Sequence, residues 1–198
     1  GKTVDAIVSA VGQGLTRPVL EEFVARLDQA GLLEGPTFQR MLEQMRADFD
    51  ASTHLPPAST ANFADTLVQQ EMGQDVSDQQ KAEHGPVRLR AAMDQWMKQV
   101  LDPVPDPSFD ALPRAVFVPH LDYWRGWMNY AHSYGRMRVV DRPDRIVILG
   151  TNHFGLGTGV VGCDKGFETP LGKVDVDEGF MSALKGKLGS EYAAQLFA

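Results

Sequence analysis

The chain has 198 residues, 43% of them hydrophobic and 23% charged, with a net charge of −7. That composition suits a globular protein of one large domain, or one domain with a small module, and its acidic balance speaks against a dedicated binder of nucleic-acid backbone or anionic membrane. No apolar run approaches the roughly 20 residues of a membrane span, no signal-peptide pattern opens the sequence, and the single cysteine, Cys163, excludes an internal disulfide framework, so a reducing, cytoplasmic location is expected.

Apolar residues at 4, 7, 8 and 11 predict a first helix from Thr3, with Thr3 and Asp5 suited to its start. Gly12-Gln13-Gly14 breaks it. Thr16-Arg17-Pro18 predicts a second helix, capped by Thr16, with apolar positions 20, 23, 24, 27 and 30 and an exit at Gly31. A third helix is expected from Gly35-Pro36-Thr37 through Met41, Leu42, Met45 and Phe49. Residues 1–50 therefore read as a small helical module. Five Lys/Arg against eight Asp/Glu give it a net charge of −3, which disfavours nucleic acid as its partner.

Residues 51–110 read as linker and connecting helix. Leu55-Pro56-Pro57-Ala58-Ser59-Thr60 has linker composition, and Gln69 to Lys81 reads as a polar surface loop. His54 and His84 are expected to be plain surface residues. Val87 to Leu101 predicts an amphipathic helix, closed by Asp102-Pro103-Val104-Pro105-Asp106-Pro107.

Residues 111–198 carry the densest signal. Ala115-Val116-Phe117-Val118 and Arg145-Ile146-Val147-Ile148-Leu149-Gly150 read as buried strands. The amphipathic segment Trp124 to Met137 between them completes a βαβ unit. Gly157-Thr158-Gly159-Val160-Val161-Gly162-Cys163 predicts a third strand. Phe167-Glu168-Thr169-Pro170-Leu171-Gly172 reads as a turn-rich return, and Asp177 as the start of a helix over Glu178 to Leu188. The sequence opens on Gly1-Lys2-Thr3 rather than Met and stops at Ala198 within a helical pattern, Glu191 to Phe197, so both ends are expected to be cut. The fold class that follows is α/β, a βαβ-based sheet with flanking helices behind a small helical module.

Parallel strands place their carboxyl ends on one sheet edge, where open α/β sheets bind ligands. His120 and His153 fall one to three residues past the two strand ends, so the imidazoles are expected to share a rim. Neutral imidazole binds iron, copper and zinc alike, but a protein site needs three or four ligands. On the residues alone, both readings stand: metal ligands, or loop histidines bonded to backbone. His132 lies within the crossover helix, expected to pack against the sheet, with a role in holding a metal-bound imidazole as the alternative. Asp122 reads as an N-cap. Tyr123, Trp124, Trp127, Tyr130 and Tyr134 read as crossover packing, with Tyr123, nearest the rim, a candidate hydrogen-bond donor or acid. Cys163 reads as a small buried hydrophobe, with a thiolate that completes a His-His-Cys set as the alternative.

Four motifs occur in order: Val118-Pro119-His120-Leu121-Asp122-Tyr123, Ala131-His132-Ser133-Tyr134, Ile148-Leu149-Gly150-Thr151-Asn152-His153, and Phe167-Glu168-Thr169-Pro170-Leu171-Gly172 with Val176-Asp177. Over roughly residues 113–190 this set resembles the Memo family, also called AmmeMemoRadiSam system protein B. The resemblance implies an α/β fold related to class III extradiol ring-cleaving dioxygenases, which use non-haem Fe(II). It implies that His120 and His153 are metal ligands, with Fe(II) or Cu as the ion. The family's third ligand is a cysteine in a motif beyond Ala198, a position Cys163 does not match. Where the family commonly has Pro-His-Ala-Gly-Tyr, this chain has Leu121 and Asp122; where it often has Ser-His-His, this chain has Asn152-His153-Phe154. The extra bulk and charge at Leu121 and Asp122 are expected to change the pocket's shape and the substrate it takes. Residues 1–50 resemble an amino-terminal extension of some bacterial members, and a winged-helix or PqqD-like module.

The leading expectation is thus a Memo-like metal-binding protein with redox or oxygenase-type chemistry on a small-molecule substrate, with Tyr123 and His132 as catalytic candidates. The alternative is a non-catalytic module that binds a peptide or protein partner and works with a radical-SAM protein. A metal-assisted hydrolase is a third reading.

Overall fold

A computed structural model describes residues 1–153 and 159–197. The contacts cluster into two units, Gly1–Thr53 and His54–Ala198.

The first unit holds α1 (Val4–Val11), α2 (Arg17–Gln29) and α3 (Pro36–Ala51). Its boundaries follow local chemistry. Thr3 Oγ1 accepts the Ala6 N–H at 3.2 Å, satisfying a donor that a helix start leaves orphaned. Pro18 and Pro36 sit in first turns, where a missing N–H costs nothing. Gly31, at φ +67°, turns the chain out of α2, and a Cβ there would stand 2.6 Å from the Met41 sulfur. No residue of α1, α2 or α3 is buried. Residues 1–53 form no strand, so the helices expected of a winged helix are present without a wing.

The second unit comprises β1 (His54–Leu55), α4 (Ser59–Met72), α5 (Asp78–Leu101), α6 (Tyr123–Gly135), β2 (Gly166–Thr169), β3 (Gly172–Val174), α7 (Glu178–Leu188) and α8 (Ser190–Leu196). The strands form one sheet in the order β1-β2-β3, β1 parallel and β3 antiparallel to β2. The architecture is mixed α/β.

The core is helical. Phe63, Ala64 and Val68 of α4 and Leu89 of α5 are buried, with Trp96 and Tyr123 packed against them. Phe63 meets the Trp124 ring edge-on at 4.7 Å and the Tyr123 ring at 5.4 Å, geometries that suit aromatic quadrupoles. Buried Ala131 and Gly135 lie four residues apart on α6. A Cβ at Gly135 would stand 2.7 Å from Leu101 Cδ1 and 3.2 Å from Met97 Cγ, so the glycine lets α6 lie close on α5.

Several expectations are corrected here. Gln69–Met72 belongs to α4 and only residues 73–77 are loop. α5 begins at Asp78, nine residues before the predicted start, and runs through Pro86. Its start is a capping box: Ser77 Oγ accepts the Gln80 N–H at 3.3 Å, and Gln80 Oε1 accepts the Ser77 N–H at 2.9 Å. That local signal, with buried Gly85 facing α4, where an added Cβ would stand 3.5 Å from Ala64 Cβ, outweighs the helix-breaking cost of Pro86.

The largest correction concerns the strands. Ala115–Val118 and Arg145–Gly150 form no strand, and Phe117 and Leu149 stand free, Leu149 at 92% exposure. The reason lies in α6. Its small-residue face packs on α5 rather than on these runs, so among the described residues most of their apolar side chains stay exposed, and burial is the reward that makes a β-branched run a strand. Of the third predicted strand, Gly157 and Thr158 lie outside the described residues, as does Phe154, and Gly159–Cys163 forms no strand. The Phe167–Gly172 return instead supplies the hairpin β2–β3, where Thr169 Oγ1 accepts the Leu171 N–H at 3.1 Å and donates to Gly172 O at 2.8 Å.

Candidate functional site

The two rim histidines meet. His120 follows Pro119 in the irregular approach to α6, and His153 stands in a turn at the end of the irregular run from Arg145. Their Nε2 atoms are 3.1 Å apart, with ring centroids 4.9 Å apart and planes tilted by 59°. Both are exposed. They come together across 33 residues without the strand pairing that predicted it.

Local anchors hold each approach. Asp122 caps α6, accepting the Arg125 N–H at 3.1 Å and the Arg125 Nε–H at 2.9 Å. The Arg125 guanidinium, then the Arg125 backbone N–H, hold the Asp122 carboxyl below its ordinary range, so it is ionised beside the site. This is the N-cap role the sequence predicts. On the other side, Arg145 Nε donates to Asp177 Oδ2 at 2.6 Å, and its guanidinium lies 4.9 Å from the Phe180 ring centroid. Asp177 also caps α7 through the Phe180 N–H at 2.8 Å. That backbone hydrogen bond, then Arg145, keeps the Asp177 carboxyl below its usual range. The run leading to His153 is thus tied at its root to α7.

The remaining candidates do not join the pair. Tyr123 packs with Phe63, Trp96 and Tyr130, and burial pushes its phenol up against a smaller opposing hydrogen bond with Thr60. It stays protonated at neutral pH, where it can donate or accept a hydrogen bond but cannot act as a base. His132 is exposed in the last turn of α6 rather than packed, because Ala131 and Gly135 take the contact face. Cys163 is also exposed, since the strand that would have buried it does not form. The aromatic set packs on α4 and α5 rather than on a crossover sheet, with Trp124 on Phe63 and Trp127 near Trp96. His84 sits half-buried in α5.

Two residues carry more than their sequence reading suggests. His54 pairs with Gly166 in the parallel ladder, and its Nε2 lies 2.9 Å from Asp175 Oδ1 with 15% of the side chain exposed. A Cβ at Gly166 would overlap both the His54 ring and Val174 O, so the glycine makes room for the imidazole. Tyr130 sends its hydroxyl back to the loop around His120. Gly126, four residues earlier on the same helix face, was the available signal: side chains on a helix lean toward its N-terminus, and a glycine there opens the path.

Among the described residues no group of three or more His, Cys, Asp or Glu side chains could hold a metal ion, so the imidazole donors brought together here number two. The donors nevertheless fit an ion. Metal–imidazole bonds of about 2.0–2.1 Å with nitrogens 3.1 Å apart enclose an angle of roughly 95–100°, between octahedral and tetrahedral values. Two neutral Nε2 lone pairs suit iron, copper or zinc. The same spacing also accommodates an N–H···N hydrogen bond between the rings.

A family described as Memo-like protein matches residues 82–194. A MEMO1 family protein of Saccharolobus solfataricus is 36% identical over 102 residues, covering 48% of this chain and 36% of that protein. One of Sulfolobus acidocaldarius is 37% identical over 103 residues, with the same coverage of 48% and 36%. One of Saccharolobus islandicus is 34% identical over 108 residues, covering 52% of this chain and 38% of that protein. The chain therefore spans a little over a third of the length of these relatives. No solved structure gives a significant match. With more than half of its residues matched, including both histidines, α6, the β2–β3 hairpin and α7, the chain belongs to the Memo-like protein family.

Proposed function

We propose that this chain carries the two-histidine element of a metal site, with His120 and His153 holding non-haem iron or copper for redox or oxygenase-type chemistry on a small-molecule substrate. The observation behind the reading is the 3.1 Å approach of two Nε2 atoms at the bite expected of two ligands on one ion. Bound there, such an ion would supply electron-transfer chemistry with open positions for a small ligand, because the imidazole donors brought together here number two. The chain's own residues orient and polarise. His120 and His153 would present their Nε2 atoms to the ion. Asp122 and Arg125 form an ion pair at the adjoining helix start. The protonated Tyr123 phenol is available as a donor rather than a base. A third protein ligand and the extradiol-dioxygenase relationship belong to this same reading, which is supported by the match of both histidines to the family model.

A second reading rests on the exposed apolar runs. Leu149, Ile148, Phe117 and Trp124 expose large apolar surfaces, which suits a module that binds a protein or peptide partner, a radical-SAM protein being the expectation. One experiment separates the two. The chain is purified anaerobically without added metal and its elemental content compared with that of a His120→Ala/His153→Ala variant. Near-stoichiometric iron or copper in the parent, absent from a folded variant, supports the site. Equal, negligible metal in both rejects it and leaves the binding module.

A further inference from the structure

We infer that Tyr130 is a positioning residue for His120, a reading that rests on the metal proposal above. The Tyr130 hydroxyl accepts the Leu121 N–H at 2.9 Å. Its own proton is directed at the carbonyls of the same loop, Pro119 O at 3.0 Å and Leu121 O. One phenol thus grips backbone groups of the residues immediately before and after His120. Nothing in the helix itself demands this, since Tyr130 lies eleven residues beyond Pro119 and the loop has no strand partner to fix it.

An independent observation supports the grip. A Cβ on Gly126 would stand 2.6 Å from Tyr130 Cε2 and 3.1 Å from Leu121 Cβ. The glycine leaves the one gap through which the ring can lie against the loop. The ring is further seated between Tyr123 and Tyr134, each 6.1 Å away by centroid. Tyr123 belongs to the helical core, so the grip ties an otherwise exposed histidine loop to the best-packed part of the molecule. A ligand-bearing loop held in this way loses less freedom on binding an ion, and partners that orient a ligand typically contribute about 10–100-fold to metal affinity.

The test substitutes Tyr130→Phe, which deletes the hydroxyl and keeps the ring, with Tyr134→Phe as a control on the same face. Two quantities are read on the full chain: amide hydrogen exchange at Leu121, and affinity for added Cu(II) by competitive titration. Tyr130→Phe is expected to speed Leu121 exchange about tenfold and to weaken Cu(II) binding about tenfold, with the melting transition and the Tyr134→Phe values near the parent's. Unchanged Leu121 exchange would overturn the grip. Faster exchange with unchanged Cu(II) affinity would overturn its role in positioning. A parent that binds no Cu(II) while Leu121 exchange still responds would overturn the metal reading and leave the grip standing as a loop anchor.

Discussion

The core around Phe63 and the rim around His120 draw on similarly apolar sequence and treat it oppositely. In the core, α4, α5 and α6 offer one another matched faces: Gly85 against Ala64, Gly135 against Leu101, Trp124 edge-on to Phe63. On the rim, Ile146, Ile148 and Leu149 are as hydrophobic as anything in the core and stay exposed. The difference lies in partners. An amphipathic helix needs one neighbouring face, whereas a buried strand needs a paired edge and cover on both sides. Apolar content states a demand for burial; the neighbours decide whether it is met.

That contrast can be broken or sharpened by substitution. Phe63→Ala should have the largest effect, costing about 3–5 kcal/mol in denaturant unfolding, because the ring is 5% exposed and touches three aromatic neighbours. Gly135→Leu should cost roughly 1–3 kcal/mol by forcing α6 off Leu101 and Met97, and loss of near-ultraviolet circular dichroism from Trp96 and Trp127 would report the movement. Ser77→Ala should cost about 1 kcal/mol by removing half of the capping box, seen as earlier fraying of α5 in hydrogen exchange. Ile148→Ser on the rim should change stability by less than about 0.5 kcal/mol while improving solubility. A large loss there would mean that the run is buried after all.

Acid should act on the rim through its two caps. Asp177 and Asp122 both titrate below their ordinary range in the folded chain. A depressed carboxyl contributes stability above its unfolded pKa and loses it as pH falls through the folded value. The contribution is therefore intact at neutral pH and fades below the ordinary carboxylate range. Asp177→Asn should flatten that acid dependence in a pH series of melting curves, more visibly than Ile148→Ser.

The helices were legible in the sequence except α4, Ser59–Met72, whose stretch reads as linker and polar loop although it carries Phe63, Ala64 and Val68 of the core. α7 was bounded at its observed ends by Asp177 and the apolar spacing, and α2 and α3 by Thr16-Arg17-Pro18 and Gly35-Pro36. The start of α5 was misplaced because Pro86 and a polar composition masked the Ser77–Gln80 box. The juxtaposition of His120 and His153 was foreseen from strand ends, yet the strands do not form. What the pattern encoded was two chain segments returning to one place, and the returns are fixed by Asp122–Arg125, Arg145–Asp177 and Tyr130. His54 reads as a surface residue and Tyr130 as crossover packing, and neither reading anticipates its hydrogen bonds. Their partners lie 121 and nine residues away, on Asp175 and Leu121, and tertiary hydrogen bonds leave no periodic trace.

The central claim is that His120 and His153 grip one ion together. Pulsed electron paramagnetic resonance on the chain loaded with one equivalent of Cu(II) tests it most directly by counting coordinated imidazoles. The account predicts two in the parent and one in each of His120→Ala and His153→Ala. One imidazole or none in the parent, or a count unmoved by either substitution, would contradict it.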